Sequence, residues 1–220
     1  MPNFLSVDKS IFSPADADFS EIARYLGYRR SAPPGDDVAA MIKTCAFEMF
    51  EFINPRGVWE TFELKCDTGV RFFCLKKCDT RVRFNCLTFA DVTLQSIDLS
   101  RNLENCNKVT LLAATIGPQV DALIRRTQVS DSVKASIFQA TGAMYIEKVV
   151  DYINEQIKKD AALSNMNCKP RYSPGYGDVP LTIQKDFFRL LPCTKIGLTL
   201  MDTLIMSPEK SVTAFVGWYE

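Results

Sequence analysis

Between Asp36 and Pro55 the apolar residues Val38, Met41, Ile42, Cys45, Met49, Phe52 and Ile53 recur at helical spacing, which lines one face of an α-helix. Asp36 or Asp37 opens this helix. Asn54-Pro55 closes it, because the residue before a proline is pushed out of the helical region. Upstream, Asp18-Phe19-Ser20-Glu21 predicts a capping-box-like start for a helix through Tyr25, stopped near Gly27, with Pro33-Pro34 and Gly35 as the linker. From Val58 to Phe89 the pattern becomes that of strands. Val58–Leu64 reads as one. Cys66-Asp67-Thr68-Gly69-Val70-Arg71-Phe72-Phe73-Cys74-Leu75 is then echoed by Cys78-Asp79-Thr80-Arg81-Val82-Arg83-Phe84-Asn85-Cys86-Leu87. Two copies are too few for a solenoid. They predict adjacent strands, with Val70 and Phe72 on one face, Arg71 on the other, and Val82 and Phe84 inward.

Ser96 to Cys106 predicts a short helix carrying Leu99 and Leu103. Val109–Ala114 is apolar without alternation, as in a strand covered on both faces. Ile116 to Thr127 reads as helical. Ser130 or Asp131 then caps the longest helix, to about Lys159, whose apolar stripe is Ile146, Val150, Ile153 and Ile157. Glu147 borders that stripe and Asp151 follows one turn later, a like-charge pair that a nearby cation would relieve. Ile196 to Trp218 alternates as short strands around a Ser207-Pro208-Glu209 turn. No linker divides the chain. The expectation is one α+β domain over residues 1–220, a mostly antiparallel twisted sheet with helices packed on it.

Composition narrows the chemistry. The chain has 220 residues, with 26 Lys plus Arg against 26 Asp plus Glu. That balance gives no basic surplus for nucleic acid. No apolar run approaches the roughly 18 residues of a membrane span, and no signal-peptide pattern opens the chain. A soluble, cytoplasmic protein is expected, with its 8 cysteines reduced. There is no histidine, which excludes Ser-His-Asp and Cys-His catalysis and His-ligated zinc; no catalytic residue is assigned. Cys66, Cys74, Cys78 and Cys86 lack the close C-x2-C pairs of structural zinc, so they read as packing residues rather than metal ligands.

The densest chemistry lies in Arg171-Tyr172-Ser173-Pro174-Gly175-Tyr176-Gly177-Asp178. Pro174-Gly175 suits the centre of a type II turn. Gly175 and Gly177 would let a ligand approach the backbone. Arg171 offers a planar fork for a carboxylate, and Tyr172 and Tyr176 offer ring faces. Taken without context, Arg171 is an ordinary surface arginine and Glu147 a solvated glutamate at a helix boundary. Asp178 reads as the cap of a helix beginning near Leu181.

This R-x-x-x-G-Y stretch resembles the signature of the activation domain of cobalamin-dependent methionine synthase. Pro180-Leu181 and Gln184, Ile196-Gly197-Leu198-Thr199-Leu200 and Met206-Ser207-Pro208-Glu209-Lys210-Ser211-Val212 resemble the family's C-terminal patterns. Arg24-Tyr25-Leu26-Gly27-Tyr28-Arg29 and Ala114-Thr115-Ile116-Gly117, with Val120-Asp121, are similar to segments of stand-alone relatives. Lys210-Ser211 reads as stabilising its hairpin.

The resemblance implies a site for S-adenosylmethionine (AdoMet), a zwitterion carrying an extra sulfonium charge. Arg171 would clamp its carboxylate, Glu147 would hold its cationic end, and Ser173, Gly175 and Tyr176 would line the adenosine slot. The implied role is a stand-alone subunit that reactivates a methionine synthase lacking its own activation domain. Cobalamin would reach it only through that partner, and a flavodoxin- or ferredoxin-like protein would supply electrons. An independent AdoMet-dependent methyltransferase and a non-catalytic AdoMet-binding scaffold of another corrinoid system are the alternatives. Neither an early G-x-G-x-G motif nor a base candidate favours the former.

Overall fold

The computed structural model describes residues 1–75 and 78–220, with side chains described outside 67–85. In chain order the elements are β1 (Asn3–Phe4), α1 (Asp16–Tyr25), α2 (Asp36–Phe52), β2 (Arg56–Leu75) and β3 (Cys78–Phe89). Next come β4 (Val92–Gln95), α3 (Ile97–Asn102), β5 (Cys106–Thr115), α4 (Pro118–Ser130) and α5 (Ser132–Leu163). The chain ends with β6 (Asn167–Cys168), α6 (Gln184–Leu190), β7 (Thr199–Leu200), β8 (Met206–Ser207) and β9 (Ser211–Tyr219). The main sheet runs β4-β3-β2-β5-β9-β6, with β1 added to β2, and its pairings are antiparallel. The fold is α+β, a mostly antiparallel sheet with helices packed on it.

Three chemically different features explain why this sequence makes that sheet. First, β5 is central and covered on both sides, so its apolar run needs no alternation. Leu112 and Ala114 face a core shared with α1, α2, α4 and α5, while Val109, Leu111 and Ala113 face a second core under α3 and α6. The neighbouring strand β9 divides in the same way, with Ala214, Val216 and Trp218 toward the first core and Phe215 toward the second. Successive side chains on a strand point to opposite faces, so each of these strands serves both cores. Second, the duplicated segments pair with each other as neighbouring antiparallel strands, Cys66 opposite Leu87 through Leu75 opposite Cys78. The expected facing of Val70, Arg71, Phe72, Val82 and Phe84 lies outside the described side chains. Third, Thr61 and Thr110 share a cross-strand hydroxyl contact at 2.8 Å, which satisfies the fully buried Thr110.

Helix boundaries follow their caps. α1 starts two residues before the expected Asp18, and the Asp18 carboxylate accepts the Ala15 N–H at 2.8 Å. Asp18 is thus the third residue of the helix rather than its cap. α1 ends as the sequence indicates. Gly27 takes φ +94°, with Tyr28 N–H on the Ala23 carbonyl and Gly27 N–H on the Arg24 carbonyl, both at 3.0 Å, the Schellman pattern. α4 begins at Pro118 rather than Ile116, since Gly117 takes φ +92° and proline is suited to the first helical position. Asp131 caps α5 through the Lys134 N–H at 2.9 Å, and the helix runs to Leu163, one turn past the expected end. Its stripe of Ile146, Val150, Ile153 and Ile157 is buried as expected. Tyr145 donates its hydroxyl to the Ala46 carbonyl of α2 at 2.8 Å.

Candidate functional site

Arg171 is placed by the sheet edge. After β6 the chain stays alongside β9: Lys169 N–H donates to Gly217 O at 2.8 Å. Tyr172 N–H donates to Phe215 O at 3.0 Å, and Phe215 N–H returns to Tyr172 O at 2.8 Å. Arg171 therefore sits between backbone positions fixed by a buried strand. Glu147 and Asp151 are placed by α5, one helical turn apart and beside its buried stripe. The structure brings all three side chains together. Arg171 Nη2 lies 3.1 Å from Glu147 Oε2, and Nη1 lies 2.5 Å from Asp151 Oδ1. The cation expected from the like-charge pair is thus Arg171 itself, recruited from 20 residues beyond Asp151.

The cluster is graded in exposure. The Arg171 side chain is 23% exposed, Glu147 43% and Asp151 68%. A half-buried guanidinium thus underlies two outward carboxylates, and anion exceeds cation. A guanidinium has five N–H donors, so the two contacts above leave donors for a ligand carboxylate. Tyr25 brings the end of α1 to the same neighbourhood. Burial raises the pKa of its hydroxyl, with the Glu147 and Glu21 charges adding to the rise.

The loop beyond Arg171 has the expected turn. Tyr176 N–H reaches Ser173 O at 3.3 Å and Gly175 takes φ +87°, as a type II turn requires. Ser173 is half-buried, Gly175 is exposed, and the Tyr176 ring is 70% exposed. A Cβ added at Gly175 would meet only Leu181 Cδ1 at 3.4 Å, so this side of the turn is open to another molecule.

Two readings of the loop are corrected. Gly177 is not open to a ligand: a Cβ there would run into the Asp98 carboxylate and the Tyr172 hydroxyl. The close approach that this glycine permits is internal. Tyr172 accordingly belongs to the second core, packed against it while partly buried. Asp178 does not cap the helical turn near Leu181. It caps α3, taking the Ser96 hydroxyl, the Ile97 N–H at 2.6 Å and the Asp98 N–H at 3.2 Å. Burial opposes its ionisation, but these donors together hold its pKa below the ordinary carboxylate value. Ser96 in turn accepts the Leu99 N–H at 3.0 Å. Sequence reasoning missed this latch because its halves lie 82 residues apart and each looks like a local cap.

Lys210-Ser211 is structural. Lys210 Nζ donates to Gln139 O at 3.3 Å, and its stem passes 3.0–3.3 Å from where a Cβ on Gly142 would stand. Burial lowers its pKa, against the pull of Asp121 and Glu209. The Asp121 carboxylate accepts the Glu209 N–H at 2.7 Å, tying the turn to α4.

Burial pushes Cys45, Cys106 and Cys168 up to about 11 and Cys193 to about 12, which keeps these thiols neutral and unreactive. Cys66 stands opposite Leu87 and Cys86 opposite Asp67. That one-residue offset turns Cys66 and Cys86 to opposite faces. The side chains of Cys74 and Cys78 lie outside the described residues. Among the described residues no group of three or more Cys, Asp or Glu is placed to hold a metal ion. None of their helices is long and apolar enough to cross a membrane.

No family model matches the chain, and no curated protein matches it. The fold does have a solved counterpart. It is similar to the MetH reactivation domain, whose crystal structure holds AdoHcy, with a TM-score of 0.65 and 15% sequence identity. The likeness covers 99% of this chain and 78% of that one. At that identity the likeness establishes the architecture: this chain has the fold of a MetH reactivation domain.

Proposed function

We propose that the chain binds AdoMet and acts as a stand-alone activation subunit for a cobalamin-dependent methionine synthase. One observation carries the reading: Arg171, Glu147 and Asp151 converge beside an open glycine turn that presents Tyr176. AdoMet carries two positive centres and one carboxylate. The spare donors of Arg171 would take the carboxylate, Glu147 the ammonium, and Ser173, Gly175 and the Tyr176 face the adenosine. The excess of carboxylate over guanidinium suits a ligand of net positive charge. The MetH fold, seen elsewhere with AdoHcy bound, supports the same ligand class.

The chemistry asked of this chain is positioning. AdoMet would supply the methyl group to a partner's cobalamin, reduced by a flavodoxin- or ferredoxin-like donor, while this chain's residues hold and orient the methyl donor. Holding the methyl donor in line is worth many orders of magnitude when both reactants are fixed, and it requires no histidine. Calorimetric titration of AdoMet into the wild type and Arg171→Ala tests the site. At least a tenfold loss is expected, and equal affinity in both would overturn it. Mixing with a methionine synthase truncated before its activation domain, with a reductant, tests the role. Recovery of methyl transfer is expected. AdoMet binding without recovery would leave the scaffold role instead.

A further inference from the structure

Along α1 lies a groove that nothing above employs. It is formed by α1, the linker 26–35 and the first turns of α2, with a volume of about 830 Å³, within the range typical of small-molecule sites. Its floor is apolar, built from the buried Ala23 and Ile42 and the partly buried Ala39. Rings and flat faces flank it: Phe19, Tyr28, Pro33 and Pro34. The Schellman turn at Gly27 swings the chain back so that Tyr28 and Arg29 stand over this floor. A second tight turn, with Ala32 N–H on Arg29 O at 2.9 Å, holds Arg29 and Arg30 at the rim.

The polar lining is one-sided. Arg24, Arg29, Arg30 and Lys43 line the groove with a single carboxylate, Glu21. Glu21 is already engaged by Arg24, with Nε at 2.9 Å and Nη2 at 2.5 Å from its two oxygens. Lys43 lies over the Phe19 ring, 5.6 Å from its centroid. Among the described residues neither Arg29 nor Lys43 has a carboxylate partner, and Arg30 has only the longer-range pull of Glu21, which Arg24 already holds. Four cations against one carboxylate raise the local positive potential, and guanidinium forks match the oxygens of a phosphate bidentately. The apolar floor and ring faces supply what a bare phosphate does not need: a seat for a flat, uncharged body.

We infer that the groove between α1 and α2 is a second ligand site, for a nucleoside phosphate whose phosphate rests on Arg29 and Arg30 and whose base lies over the floor between Phe19 and Tyr28. The site is separate from the Arg171 cluster and of opposite charge. It would repel a cationic sulfonium ligand and attract an anionic nucleotide.

The test is calorimetric titration of AMP, adenosine and inorganic phosphate into the full chain. It uses the wild type, the double variant Arg29→Ala/Arg30→Ala, Ala39→Trp and Arg171→Ala. AMP is expected to saturate one site, at least tenfold more tightly than adenosine or phosphate. The arginine double variant and Ala39→Trp should each lose at least tenfold, the first through the phosphate contacts and the second by filling the floor. Arg171→Ala should bind AMP as the wild type does, and binding should weaken as salt rises. The arginines are exposed, so the double variant keeps its fold, which a thermal melt verifies. Absence of saturable AMP binding overturns the inference. So does unchanged affinity in the double variant or in Ala39→Trp, or loss of AMP binding in Arg171→Ala.

Discussion

The molecule contains two arginine–carboxylate sites that differ in how they are built. In the Arg171 cluster one guanidinium serves two carboxylates, and its members come from a helix and a sheet edge 24 and 20 residues apart in sequence. In the α1/α2 groove one carboxylate stands among four cations, and the only ion pair described there, Arg24 with Glu21, is a local i,i+3 contact along one helix. The first has a surplus of negative charge held in place by buried backbone. The second has a surplus of positive charge shared between an exposed turn and the two helices beside it. Charge stoichiometry, not the presence of arginine, decides which kind of molecule each attracts. Depth of anchoring decides how much a single substitution disturbs it.

The largest expected effect is at Arg171. Arg171→Ala removes a charge-assisted clamp, so AdoMet affinity should fall by about 1.5–3 kcal/mol, tenfold or more, while AMP binding in the groove stays as in the wild type. Loss of both would show that the two sites are not separable, and loss of neither would remove Arg171 from the AdoMet site. Next are the glycines of the loop. Both adopt positive φ, which costs a residue with a Cβ about 1–2 kcal/mol. Gly177→Ala should exceed that cost because its Cβ also meets Asp98 and Tyr172, whereas Gly175→Ala should stay within it. Paired urea melts check the order. Equal losses would mean that the Asp98 contact yields without strain.

Asp178→Ala removes the α3 latch. A lost helix cap is worth about 1 kcal/mol, or roughly 2–4 °C in Tm for a chain of this size. The acid limb should change as well. Because the folded state lowers the pKa of Asp178, its contribution is complete above the unfolded value of 3.8 and is lost as pH falls through the folded value. The wild-type and variant melting curves should therefore converge below pH 4, and a constant offset down to pH 2 would refute the assignment. The smallest effect is at Glu21→Ala. Breaking an exposed i,i+3 pair changes stability by a few tenths of a kcal/mol, yet it releases Arg24 and should tighten AMP binding.

What the sequence disclosed depended on the range of each contact. The stripe of α5 and the face of α2 are written in neighbouring residues, and both are buried where the spacing places them. The unbroken apolar run of β5 indicates burial on both faces, but it cannot say which cores lie there, since that depends on β2 and β9. Residues 196–218 read as short strands around the Ser207-Pro208-Glu209 turn; β7 and β8 are short, but β9 is one strand of nine residues, mostly buried because it too serves both cores. The like-charge pair on α5 called for a cation, and the R-x-x-x-G-Y resemblance indicated Arg171. The meeting of Tyr25 with Glu147, and of Asp178 with Ser96, left no local trace. Gly177 shows the ambiguity most plainly: a glycine admits a close neighbour, and composition cannot say whether that neighbour is foreign or the chain's own Asp98.

Because Tyr172 is bonded in both directions to Phe215, the segment from β6 to residue 172 continues the edge of the sheet alongside β9, and the turn begins only afterwards. The electrostatic anchor and the surface that would discriminate one adenine-like ring from another are thus mechanically decoupled. Residues 173–176 could be exchanged for a turn of different shape without shifting Arg171, making the tip a replaceable cassette on a fixed mount.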